Sequence, residues 1–321
     1  MSAATGAHPR SGPGTFPPWR LALAVSVAPT AFAAVAGTSD LAALFARLAE
    51  IGYDGVELAV RDPATLDAAR LGGMLGDAGL QPVAIGTGQA FVDDGLSLSD
   101  ARAQVRQAAA ARLRGHIELA EALGCPYVII GLVRGRTPPA ASRAEALARL
   151  QEELRSLADH AGRRSVRLLI EAINRYETDL VNTLDEAAEL AESVPGAGLL
   201  ADTFHMNIEE AHPESAIVRH ASRIAHVHLA DSNRLPPGRG HFPFATLLGV
   251  LEAVGYRGWL SVEALPVPDP LGAARQAFAY LAALGAGPRR GGEQPALGPR
   301  PARESHPAEN SMRAQMEGTA P

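Results

Sequence analysis

The sequence predicts an α/β protein: a single (β/α)8 TIM barrel with disordered N- and C-terminal tails. Three observations point there. Between residues 21 and 286, short β-rich apolar runs alternate with amphipathic stretches, giving eight strand-helix units. Right-handed crossovers make a closed ring the natural arrangement for such units. Four of the later runs each end in a metal-capable side chain, Glu171, Asp202, His228 and Glu263, spaced 31, 26 and 35 residues apart. Each spacing is about one strand-helix-strand repeat, so the four should converge at the mouth where barrel strands end. The span is roughly 265 residues, close to the ~250 of one barrel. An open doubly wound sheet would carry a Gly-rich phosphate loop after its first strand, and Val27-Ala28-Pro29-Thr30-Ala31 holds none.

Taken in order, residues 1–20 are rich in Gly, Pro and Ser and are expected to be disordered. Residues 21–28 read as strand one. With Arg20 before it, this run imitates a secretory signal, but Pro17 and Pro18 precede it, Pro29 interrupts it, and cleavage would remove a barrel strand. Helix one is expected over 39–51, capped by Ser39 or Thr38. Strand two follows at 55–60, helix two at 63–78, strand three at 82–86, a loop at 91–99, and a long Ala/Arg-rich helix at 100–123. Strand four is placed at 126–131, its helix at 142–161, strand five at 166–173 and the next helix at 184–193. Strand six at 198–203 leads to a short helix between Pro213 and Ser222. Strand seven at 224–229, its helix at 244–254, strand eight at 259–264 and a last helix at 269–284 close the ring. The barrel domain is thus 21–286, and 287–321, aperiodic and rich in Pro, Gly, Arg and Glu, is expected to be a disordered tail.

Composition narrows the function. A net charge of −6 argues against nucleic acid as a partner. No segment reaches ~20 uninterrupted apolar residues, so no membrane span is expected. The one cysteine, Cys125, cannot form an internal disulfide; it reads as a small buried hydrophobe, and a cytoplasmic location fits. The expected partner is a small molecule, with homo-oligomer formation left open.

A carboxylate ending a buried strand is costly unless paired or metal-bound. Glu171 after Leu168-Leu169-Ile170 and Glu263 after Leu260-Ser261-Val262 both fit that description. Asp202 reads equally well as a ligand or as part of a helix cap. His226 and His228 share a strand face, and only His228 reaches the mouth easily, leaving His226 as an inner-layer histidine. Three carboxylates and an imidazole make an oxygen-rich site for a divalent cation such as Mn²⁺ or Mg²⁺.

The segments Glu171-Ala172-Ile173-Asn174-Arg175-Tyr176-Glu177-Thr178, Asp202-Thr203-Phe204-His205-Met206-Asn207 and His228-Leu229-Ala230-Asp231-Ser232-Asn233-Arg234 resemble the xylose-isomerase-like sugar isomerase/epimerase superfamily, and within it the D-tagatose and D-psicose 3-epimerase branch. In the first half only Gly52-Tyr53-Asp54-Gly55-Val56-Glu57-Leu58 matches. The resemblance implies that Glu171, Asp202, His228 and Glu263 hold one Mn²⁺, Mg²⁺ or Co²⁺, with Mn²⁺ the first choice. It implies that Glu171 and Glu263 double as the acid/base pair, and that Glu177, His205 and Arg234 hydrogen-bond the substrate.

The implied reaction is epimerisation of a keto-sugar or keto-sugar acid. A proton beside the carbonyl is removed and returned to the other face, through an enediolate stabilised by the cation. Arg239 and His241 exceed what a neutral ketose requires; they are either a solvated turn or a hint of an acidic or phosphorylated substrate. The alternative enzyme is an inosose-type dehydratase on the same scaffold, which would expel water. An apurinic endonuclease would need more metal ligands and a basic face. A non-catalytic sugar-binding module would not need two opposed glutamates.

Overall fold

A computed structural model of the chain describes residues 19–37 and 40–285. Its eight principal strands are β1 Arg20–Ser26, β2 Gly55–Ala59, β3 Gln81–Gly86, β4 Tyr127–Ile130, β5 Arg167–Glu171, β6 Gly198–Asp202, β7 Ile224–Leu229 and β8 Trp259–Val262. Each runs parallel to the next, and β1 pairs with both β2 and β8, which closes the barrel. A two-residue strand, Ala36–Gly37, adds to β1. The run that imitates a secretory signal is therefore a buried barrel strand.

The outer helices are α1 Leu41–Ile51, α2 Ala68–Ala78, α3 Ala103–Leu123, α4 Arg143–Gly162, α5 Leu184–Glu192, α6 Pro213–His220, α7 Phe244–Ala253 and α8 Pro270–Ala283. Each buries one stripe against the sheet, as α4 does with Leu150, Leu154, Leu157 and Ala161. Ser142 and Glu145 start α4 as a reciprocal capping box.

Where boundaries differ from expectation, local hydrogen bonds account for it. Asp40 caps α1, its side chain accepting from the Ala43 N–H; Thr38 and Ser39, the expected caps, lie outside the described residues. The expected second helix divides. Asp62 caps a 3-10 turn at Pro63–Thr65, and Asp67 starts α2 separately. The expected loop after strand three begins with a short helix, Gly88–Val92, and a second unforeseen helix, Thr203–Glu209, follows β6 directly. The expected N-terminal tail gives up its last two residues, because Trp19 is buried and Arg20 opens β1. The rest of that tail, residue 286 and the expected tail at 287–321 lie outside the described residues.

The barrel interior is filled by Ala22, Val83, Ala84, Ile129, Leu169, Leu200 and Trp259. Trp259 carries the Arg20 guanidinium 4.4 Å from its ring centre. Above this apolar filling the interior turns polar, and Asp202 stands beside His228 in the β6–β7 register. Among the described residues, no helix is long and apolar enough to cross a membrane.

Candidate metal centre and active site

Glu171 ends β5, Asp202 ends β6, His228 lies one residue from the end of β7, and Glu263 follows β8. One ligand atom from each lies within 4.8 Å of every other. His228 Nδ1 is 3.5 Å from both Glu171 Oε1 and Asp202 Oδ2, and 3.7 Å from Glu263 Oε2. These separations are too long for good hydrogen bonds, yet they suit donors arranged around one ion at ~2.0–2.2 Å. Two of the atoms, His228 Nδ1 and Asp202 Oδ2, are buried without a hydrogen-bond partner. Buried polar atoms left unpaired in this way are rare and call for an occupant. The donor set therefore fits a divalent cation.

The helix-cap reading of Asp202 holds, and it leaves the second oxygen free for the ligand reading. Its Oδ1 caps the Thr203–Glu209 helix, accepting from the Phe204 and His205 N–H groups, while Oδ2 faces the other ligands. Glu171 has room only because residue 131 is glycine: a Cβ there would stand 2.6 Å from Glu171 Oε2.

Arg134 sits beneath Glu171, 1% exposed. Its guanidinium donates to the carbonyl oxygens of Ile130, Gly131, Leu180, Val181 and Glu171, tying the ends of β4 and β5 to the loop that follows β5. Arg134→Met should cost about 3 kcal/mol or more, at ~1–3 kcal/mol for each buried acceptor left unpaired. Denaturant unfolding checks this; an unchanged midpoint would show that these carbonyls find other partners.

The three expected substrate contacts meet on one side of the ligands. His205 Nε2 lies 3.9 Å from Glu171 Oε1 and 3.8 Å from Asp202 Oδ2. Its Nδ1 accepts from the Asn174 side-chain amide at 2.8 Å, so the ring proton sits on Nε2, facing the site. Asn174 also donates to Glu177 Oε1 at 2.8 Å. Arg234 donates to Glu177 at 2.9 Å and to Glu263 at 3.1 Å, with its guanidinium 4.8 Å from the centre of the Phe204 ring. The Arg234 backbone has φ +60°, an uncommon conformation for a side-chain-bearing residue. The buried Asp231 carboxylate helps to hold its loop, accepting from the N–H groups of Ser232, Gly238 and Phe242. Arg239 and His241 are exposed on that loop and do not line the cavity formed by Phe32, Ile129, Leu132, Ile173 and the polar residues above.

Sequence reasoning gave no role to Asn174, Arg134 or Glu57. Glu57 Oε2 accepts from His226 Nε2 at 2.8 Å and from His228 Nε2 at 2.9 Å, across the barrel lumen. The inner-layer reading of His226 holds, with Glu57 as its partner. The signal for Glu57 was available: a lone acid in the middle of the apolar strand Gly55–Ala59 requires an interior partner.

The electrostatics follow from this crowding. Burial pushes the Glu263 carboxyl up to about 8, and nearby Glu171 and Asp202 add to the effect against the pull of His228 and Arg234. Burial opposes charge on Asp202 too, but His205, His228 and Arg234 outweigh it and hold that carboxyl below the usual range. His228 is raised well above its ordinary value: burial opposes this, and the carboxylates of Glu57, Glu263, Asp202 and Glu171 prevail. Burial lowers His205, favouring a neutral ring. A broader depression opens at the opposite, N-terminal end of the barrel, lined by Arg20, Tyr127, Arg167 and Trp259. Arg167 is engaged there by the Gly196 and Ala197 carbonyls, and the ligand-bearing strand ends face the other way.

The family model described as xylose isomerase-like TIM barrel matches residues 45–284. An L-ribulose 3-epimerase of Methylomonas sp. (strain DH-1) is 31% identical over 234 residues, 69% of this chain and 78% of that protein. An L-ribulose 3-epimerase of Mesorhizobium japonicum is 33% identical over 236 residues, 72% of this chain and 78% of that protein. The crystal structure of a Methylomonas sp. D-allulose 3-epimerase in complex with D-allulose superposes with a TM-score of 0.70 at 25% identity, covering 84% of this chain and 98% of that one.

Proposed function

The chain belongs to the xylose isomerase-like TIM barrel family, and on that premise we propose that it is a divalent-metal-dependent ketose 3-epimerase. The observation that carries the reading is the four-ligand cluster with its two unpaired buried atoms, His228 Nδ1 and Asp202 Oδ2. Glu171, Asp202, His228 and Glu263 hold the cation, Mn²⁺ by first choice. When bound, it supplies Lewis-acid stabilisation of the enediolate that forms at carbons 2 and 3.

The chain's own residues do the rest. One of Glu171 and Glu263 removes the carbon-3 proton, and the other returns a proton to the opposite face. The two come from β5 and β8, with β6 and β7 between them. His205 donates from Nε2 to a substrate oxygen where negative charge develops. Arg234 joins it, held in place by Glu177 and Glu263. Asn174 keeps the His205 ring in the donating tautomer.

The substrate is an uncharged ketose. Arg234 is the one Arg or Lys lining the cavity among the described residues, and its charge is already shared by two carboxylates. Arg239 and His241 lie outside that lining, so they offer an acidic or phosphorylated sugar nothing there. The buried Cys125 thiol, pushed up to about 12 by burial, is inert, and we place the enzyme in the cytoplasm. Incubating free ketopentoses and ketohexoses with enzyme and Mn²⁺ in D₂O tests the reading. The expected result is a 3-epimer carrying one solvent deuteron on carbon 3. A product lighter by one water would make the enzyme a dehydratase.

A pH dependence follows from the crowded ligands. Without metal, both His228 and Glu263 retain protons into the neutral range. A cation must displace them, so apparent affinity should rise with pH, with the Glu263 contribution levelling off above about 8. Calorimetry in buffers of different ionisation enthalpy should register proton release at pH 7. A flat affinity between pH 6 and 8.5, the ends of a window drawn around these shifts, would contradict the proton assignment.

A further inference from the structure

We propose that Glu57 is the positioning residue of the metal centre: its carboxylate fixes the His228 imidazole so that Nδ1 is the nitrogen that faces the other three ligands. The inference rests on the four-ligand reading above and adds a fifth residue, one outside the four-ligand cluster.

The argument is geometric. Glu57 is 1% exposed in the middle of β2, on the far side of the lumen from β7. One of its oxygens, Oε2, accepts from both His226 Nε2 and His228 Nε2. A carboxylate offers lone pairs and no proton, so both Nε2 atoms must carry hydrogen. With Nε2 protonated, a neutral His228 has its free lone pair on Nδ1. That atom is the one found buried, unpaired and 3.5–3.7 Å from the three carboxylates. A histidine ligand whose second nitrogen donates to a carboxylate is oriented, locked in one tautomer and made more basic.

His226 completes the device. Its ring lies edge-on to that of His228, with centroids 5.3 Å apart. Its N–H gives Glu57 a second donor, which keeps a buried anion compensated once His228 is neutral. This also explains why two histidines stand at alternate positions of one strand although only one reaches the ligand cluster.

Glu57→Gln preserves shape and replaces one acceptor oxygen with a donating amide. Binding of Mn²⁺ to the wild type and to Glu57→Gln, measured by calorimetry, should show affinity about 10- to 100-fold weaker in the variant. His226→Phe leaves the Glu57–His228 bond in place and should change affinity no more than about 3-fold, well short of that loss. Equal losses in the two variants would mean interior packing rather than ligand orientation, and would overturn the proposal. So would wild-type affinity in a folded Glu57→Gln. Should Glu57→Gln fail to fold, ¹⁵N-histidine spectra of the Mg²⁺-loaded wild type decide: a His228 proton on Nε2 is required, and a proton on Nδ1 ends the idea. A wild type that binds no Mn²⁺ would instead sink the metal-dependent reading itself, so the two failures are distinguishable.

Discussion

Glu171→Gln and Glu263→Gln should each lower epimerisation by about 10²–10⁴-fold, the usual range for loss of a general acid or base. Inverting one carbon through its enediolate needs an acceptor on one face and a donor on the other, and a glutamine amide is neither at neutral pH. Gln can still offer an oxygen to the cation, so metal occupancy should survive, although weakened. The two variants need not behave alike toward solvent. A variant that keeps the base facing the substrate's carbon-bound proton can exchange that proton with D₂O without forming epimer, because the return on the other face is lost. Chromatographic assay of the epimer, with deuterium incorporation read by mass spectrometry, separates the two activities. Near wild-type turnover in either variant with metal bound would rule out the two-glutamate mechanism.

Asp202→Asn should abolish metal binding at micromolar concentrations and activity with it. Asp202 is 1% exposed; its Oδ1 is committed to the helix cap and its Oδ2 faces the cluster. Asn at this position can still cap through its carbonyl oxygen, so the Thr203–Glu209 helix should persist. What disappears is one formal charge of the three anionic ligands. The loss in Mn²⁺ affinity should exceed the ~10–100-fold typical of changes to groups that only orient a ligand. Circular dichroism reports the fold, calorimetry the metal, and chelation followed by Mn²⁺ return should restore the parent enzyme but not the variant. Full activity of the parent after exhaustive chelation would remove the cation from the mechanism.

Much of the barrel was legible in the chain because the strand pattern is a local property. Fully buried parallel strands read as short apolar runs, and the eight strands lie within two residues of their expected starts. The helix boundaries were less legible. Whether an Asp extends a helix or caps a new one, as Asp62 and Asp67 do on either side of a 3-10 turn, depends on which N–H its side chain meets. The Thr203–Glu209 helix was hidden for a related reason: it begins directly after Asp202 at the end of β6, with no linker to announce it.

The sequence by itself determined the ring of strands and the four side chains at its C-terminal end, since strand length, alternation and repeat spacing are written along the chain. Only the tertiary structure decided how those side chains are held. Glu57 and His226 lie 169 residues apart and bond across the lumen. Arg134 reaches carbonyls at both ends of a loop it does not belong to, Glu171 before it and Leu180 and Val181 late in it. Gly131 leaves the space that Glu171 occupies. Arg239 and His241, basic in the sequence, turn out to face solvent. The physical reason is the same in each case: periodicity states which way a side chain points, whereas its partner depends on which distant strand barrel closure brings opposite it.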